Sequence, residues 1–202
     1  MTSPAIVARA DIVPVSGTLS AAATFDWTMG NVHLNDSHAL TLGTDYGDFS
    51  TGAAAGAGVN ATVHTSRTPT SLSFNLTGVA ASGGASQWAQ IWGSFSTVFT
   101  LTAPADLEET GTQNADPHFM YASVLRDSAN QSVPFAGPGM VPAGTYRYFS
   151  VNDCVPVGPG VGSGAMDMHR TLFVVPEPAT ALVAGSAAFL ATRKRRRASR
   201  PS

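Results

Sequence analysis

Alternation of apolar and polar residues, repeated along most of the chain, is what most restricts the folds open to it. Phe25, Trp27 and Met29 alternate with Thr24, Asp26 and Thr28. Val59, Ala61 and Val63 alternate with Asn60, Thr62 and His64, and Leu72, Phe74 and Leu76 with Ser71, Ser73, Asn75 and Thr77. In a further run Phe95, Phe99 and Leu101 line one side, with Ser94, Ser96, Thr100 and Thr102 on the other. A period of two sends successive side chains to opposite faces of a strand, so each run has one face to bury and one to wet. No window from Asp11 to Val175 carries the stripe that an amphipathic helix needs. Only 12% of residues are charged, about half the usual share. Ser, Thr, Ala, Gly and Asn take their place, which suits exposed strands and turns better than surface helices.

Three later runs, His118 to Arg126, Thr145 to Val151 and Met166 to Val175, are apolar on both faces and read as central strands. Weaker strands are expected around Ala39 to Leu42 and Gln87 to Trp92, with Gly93 making a bulge or bend before the next run. Connectors are marked by Ala53 to Gly58, Gly83-Gly84, Gly137-Pro138-Gly139 and Val157 to Gly164. Eight or nine short strands so spaced predict an all-β chain, a single antiparallel β-sandwich over 11–175 of jelly-roll-like or immunoglobulin-like form.

Charge is distributed unevenly. Between Asp11 and Val175 there are twelve Asp/Glu against four arginines (Arg67, Arg126, Arg147 and Arg170), a net of −8 with no lysine. An acidic body excludes nucleic acid as a partner, because phosphate contacts need clustered Lys and Arg. Cys154 is the single cysteine, so no intrachain disulfide framework and no cysteine zinc site can form.

The C-terminus is organised differently. Pro176-Glu177-Pro178 is followed by Ala179 to Thr192, an uncharged apolar stretch, and then by Arg193, Lys194, Arg195, Arg196 and Arg197. The apolar stretch predicts one C-terminal hydrophobic helix, about 21 Å long at 1.5 Å per residue. That is short for a bilayer core of about 30 Å, a deficit that snorkelling arginines and local thinning reduce. The basic cluster would act as a stop-transfer signal and mark the cytoplasmic side. This order of motif, apolar helix and basic end, over 176–202, resembles the PEP-CTERM sorting tail read by exosortases. The resemblance implies export through the inner membrane of a Gram-negative-type bacterium. Cleavage near Pro176-Glu177-Pro178 by the exosortase, a membrane-embedded cysteine transpeptidase, would follow. It also implies a place at the cell surface or outside the cell, in exopolysaccharide or biofilm. The bare alternative is an ordinary C-terminal anchor behind a Pro-Glu-Pro linker. At the other end, Ala8-Arg9-Ala10 has the small-residue spacing that signal peptidase cleaves, so 1–10 reads as the remnant of a signal peptide or as a disordered arm.

Within the body few residues suggest chemistry. Trp88 and Trp92 lie four apart on an expected strand and face one side. Buried they are core, the favoured reading; exposed they form a sugar-stacking platform. Asp45 and Asp48 in Gly43-Thr44-Asp45-Tyr46-Gly47-Asp48 are a weak Ca²⁺ candidate, since hard cations accept such oxygen clusters. The stretch Asn31 to His38, with His33, Asp36 and His38, reads as a polar loop rather than a metal site. Glu108 and Glu109 are adjacent in an expected loop and do not make the separated carboxylate pair of a glycosidase. No catalytic residue, cofactor or metal is therefore expected. The expectation is a non-enzymatic exported protein whose processing partner is an exosortase; the alternative is a carbohydrate-binding module, Ca²⁺-assisted, delivered by the same route.

Overall fold

The computed structural model describes residues 9–27, 30–44, 48–56, 58–80, 87–115, 119–135, 140–154 and 164–175. The expected C-terminal helix, the Pro176-Glu177-Pro178 motif, the basic cluster and Asp45 lie outside these residues.

The described residues form eleven strands and no helix. They are β1 (Ile12–Trp27), β2 (Val32–Leu42), β3 (Phe49–Gly56), β4 (Val59–Thr68), β5 (Ser71–Ala80), β6 (Gln87–Leu101), β7 (Leu107–Ala115), β8 (Phe119–Asp127), β9 (Ser132–Val133), β10 (Gly144–Cys154) and β11 (Gly164–Val174). Six make one sheet in the order β2-β1-β6-β10-β8-β9, and five make a second in the order β3-β4-β5-β11-β7. Every pairing is antiparallel. The inner faces of both sheets supply a single core cluster, with β1 over β3 and β4, and β6 over β4 and β5.

Alternation decides which side chains enter that core. Leu19, Ala21, Ala23 and Phe25 of β1 are buried, while Thr18, Ser20, Ala22, Thr24 and Asp26 between them are not. Nearer its start β1 is in the opposite phase, with Ile12 and Pro14 buried and Val13 and Val15 exposed. A register shift between Pro14 and Ser16 accounts for the change, since one extra residue turns every later side chain to the other face. Proline, which has no N–H for the ladder, is tolerated at such a place.

Several sequence expectations are corrected. The runs on either side of Gly93 are one unbroken strand, β6, in which Gly93 pairs in regular register with Ala21 and Asn152. Its lack of a side chain serves the facing sheet instead: a Cβ there would stand 2.5 Å from Val63 Cγ1 and 3.0 Å from Leu76 Cδ1. The stretch Asn31 to His38 is mostly strand β2 rather than a loop, and Glu108 and Glu109 lie on strand β7. Ala53 to Gly56 belong to β3, and Gly56 and Gly58 at positive φ turn the chain into β4.

Candidate functional site

Two places gather residues with chemical potential, one on the outer face of the six-stranded sheet and one between the sheets. The outer place is built on β6, between β1 and β10 at the centre of its sheet. Ala89, Ile91, Gly93 and Phe95 point inward, so Trp88, Gln90 and Trp92 stand on the outer face, half-buried. The reading of the two tryptophans as core is thereby overturned. The inner line of β6 is set by Gly93, where Val63 and Leu76 leave no room for a ring. Four residues of strand separate the tryptophans by about 13 Å. Asp26 lies opposite Trp88 in register, and Ala22 opposite Trp92. Asp26 Oδ1 accepts a hydrogen bond from His33 Nδ1 of β2. The result is an aromatic strip with an acid–imidazole pair at one end, suited to stacking on the apolar face of a sugar ring.

The inner place was not anticipated. Tyr148, Ser150 and Asn152 succeed one another on the inward side of β10, at 1%, 1% and 0% exposure. Asn152 is opposite Tyr121 of β8 in register. From the facing sheet Arg170 of β11, 8% exposed, lays its guanidinium over the Tyr121 ring with Cζ 4.0 Å from the ring centre. It can lie there because its partner in register on β7 is Gly111, where a Cβ would come within 2.2 Å of Arg170 Nη1 and 2.6 Å of its Cδ. Glu109, two residues along β7, stands beside Tyr148. Burial pushes the Tyr148 phenol far above its ordinary value, and the Glu109 carboxylate adds to the effect.

Asn152 is the least satisfied member of this cluster. Both side-chain polar atoms of Asn152 and Glu109 Oε2 are buried with no hydrogen-bond partner among the described residues, while the Tyr148 hydroxyl has the Ser150 and Glu109 side chains within reach. Native structures seldom leave such groups unpaired, because each costs about 1–3 kcal/mol. Sequence reasoning passed over these residues because Arg170 was weighed only as a charge and Glu109 was placed in a loop. The available signal was parity: Arg170 shares its strand face with Met168 and Leu172, and Asn152 shares its face with Tyr146 and Tyr148.

The remaining candidates stay apart. Asp48 is exposed beside β3. On β2, alternation puts His33 on the outer face, while Asp36 and His38 face the other way, 3.2 Å apart between Asp36 Oδ1 and His38 Nε2. Among the described residues no group of three or more His, Cys, Asp and Glu side chains is placed to hold a metal ion. No helix among them is long and apolar enough to cross a membrane.

No family model, curated protein or solved structure matches the chain.

Proposed function

We propose that the chain is a non-enzymatic exported surface protein, a β-sandwich delivered by a PEP-CTERM tail that an exosortase cuts. The observation that carries this reading is the order of three elements in the tail: Pro176-Glu177-Pro178, the uncharged stretch Ala179 to Thr192, and the cluster Arg193 to Arg197. The body's geometry is compatible with such processing. Strand β11 ends at Val174, between β5 and β7. Val175 N still donates to Asp106 O at 2.9 Å, so the chain stays tied to the body up to the motif. A cut within or after the motif would release the tail and leave every strand in place. Before the cut the precursor is anchored in the inner membrane; afterwards the body is at the cell surface or outside, among exopolysaccharide.

The test is the C-terminus of the mature protein, read by mass spectrometry from a host with an exosortase and from the same host with it deleted. The expected result is an end near Pro176 to Pro178 in the first and an intact tail in the second. An uncut tail in both would make the protein a simple C-terminally anchored β-domain.

A second reading is favoured by the outward position of Trp88 and Trp92: a carbohydrate-binding module exported by the same route. The double substitution Trp88→Ala, Trp92→Ala should abolish binding to exopolysaccharide from the producing cell in a pull-down and leave the fold intact by circular dichroism. Retained binding would remove the outer face from consideration.

A further inference from the structure

The edge of a sheet presents N–H and C=O groups with no ladder to join, and folded proteins usually close such edges. The edge strands here are β2 and β9 in one sheet and β3 and β7 in the other. β2 and β3 lie side by side, and Asp36 of β2 takes the Ala54 amide of β3. β9 is cut short at two residues. β7 (Leu107–Ala115) has none of these devices. It is nine residues long, pairs with β11 without a register shift, and contains no proline, lysine or arginine. Among the described residues no strand lies beyond it.

Two bonds at the end of β11 fix which groups of β7 face the open side. Val174 N–H donates to Thr70 O, toward β5, and Val175 N–H donates to Asp106 O, toward β7. In an antiparallel pair the bonding direction alternates from residue to residue. Phe173, Thr171, His169 and Asp167 therefore bond to Glu108, Thr110, Thr112 and Asn114, their partners in register. Glu109, Gly111 and Gln113 turn their N–H and C=O groups outward. Charge then selects what can lie against them. Both glutamates sit at one end of the strand. A parallel copy of β7, or an antiparallel copy centred on Glu108 or Glu109, would set glutamate against glutamate, which is destabilising. An antiparallel copy centred on Gly111 sets Glu108 opposite Asn114, Glu109 opposite Gln113 and Thr110 opposite Thr112. In that register the strand is its own complement, and every open group of one copy meets an open group of the other.

We propose that two copies of this chain pair through β7, antiparallel about Gly111, and so join their five-stranded sheets into one continuous sheet. The backbone of Glu109 bonds that of the second copy's Gln113, and the two Gly111 residues bond each other. Trp88 and Trp92 stand on the other sheet and are left uncovered. The pairing therefore depends neither on glycan binding nor on the fate of the C-terminal tail.

The experiment uses the full chain with Cys154→Ser, which removes its single thiol. One preparation then carries Thr110→Cys and a second Thr112→Cys, both at exposed positions. In the paired state these residues face each other across a non-hydrogen-bonded pair, with Cα atoms about 4.5–5.5 Å apart, within disulfide reach. Each lies about 8 Å from its own counterpart, which is beyond that reach. Mild oxidation is expected to give a disulfide-linked dimer in the mixture and none in either preparation alone. Sedimentation of the otherwise native chain in mild detergent supplies a second measurement. Thr110→Lys with Thr112→Lys sets lysine against lysine and should shift the dimer to monomer. Thr110→Lys with Thr112→Glu sets lysine against glutamate and should keep at least as much dimer as the parent. The cross-link decides the matter even if the lysine pair fails to fold. No cross-link in the mixture, an equal cross-link in one preparation alone, or a dimer unmoved by the lysine pair would overturn the proposal.

Discussion

The two halves of the interior are filled in opposite ways. Where β1 faces β3 and β4, alanine is the commonest buried side chain, with Ala21, Ala23, Ala53, Ala55 and Ala61 set among Leu19, Phe25, Val59 and Val63. Where β6, β10 and β8 meet β5, β11 and β7, the fill is Phe74, Phe95, Tyr148, Met168, Leu172 and the polar cluster around Arg170. Small side chains let two sheets close on each other, while rings and long chains hold them apart. The alanine half is a seal. The aromatic half has the bulk, the charge and the unpaired hydrogen-bonding groups, so any function of the interior belongs there.

This contrast predicts that the halves fail under opposite changes. Truncation should hurt most in the aromatic half. Phe95 is fully buried, stacks on Phe74 with ring centres 6.0 Å apart, and meets Tyr148 edge-on at 6.3 Å. Phe95→Ala should cost about 3–5 kcal/mol in urea unfolding. A loss below about 1 kcal/mol would mean that this half is loosely packed and that the contrast is wrong.

Enlargement should hurt the alanine half. Ala61→Leu would push bulk into the place where β4 meets β1, and Gly93→Ala would set a Cβ 2.5 Å from Val63 Cγ1. Each should cost about 1–3 kcal/mol by overpacking. In the inner cluster, by comparison, Asn152→Leu replaces an unpaired polar group and should cost little or nothing. If Ala61→Leu were as harmless as Asn152→Leu, the two halves would not differ in closeness of packing.

How much of this was legible follows from what alternation can and cannot carry. It carries facing: the buried line Leu72, Phe74, Leu76 and its wetted partners were readable from the residues alone, as was the all-β character. It does not carry bends, which is why Gly93 suggested a break. The glycine answers to Val63 and Leu76 on the facing sheet, partners remote in sequence. Nor does composition separate an edge strand from a loop. Glu108 and Glu109 sit on β7 at the edge of the five-stranded sheet, where Leu107 and Glu109 face inward and Glu108 stands on the exposed face. Asn31 to His38 similarly runs into β2, the edge of the six-stranded sheet. The inner cluster was hidden for a further reason. Its members come from β7, β8, β10 and β11, and only the register of both sheets brings Arg170 to Tyr121.

The smallest expected effect lies at the alanine end, where the two edges β2 and β3 run side by side. β3 is an edge strand, and its Ala54 N–H donates to Asp36 Oδ2 of β2 at 2.8 Å, so a side chain of one sheet satisfies an open amide of the other. The Ala54 amide, with a further contribution from His38, lowers the Asp36 carboxyl below its ordinary value of 3.8. A depressed folded-state value contributes stability that is present above the unfolded value and lost as pH falls through the folded one. Asp36→Ala should therefore melt slightly lower than the parent at neutral pH, with the gap closing as pH falls below 3.8. Melting curves for both proteins across that range decide the matter. A gap that persists once the carboxyl is protonated would assign the difference to packing of the side chain, and the two edges would then be held by the alanine seal without the Asp36 clasp.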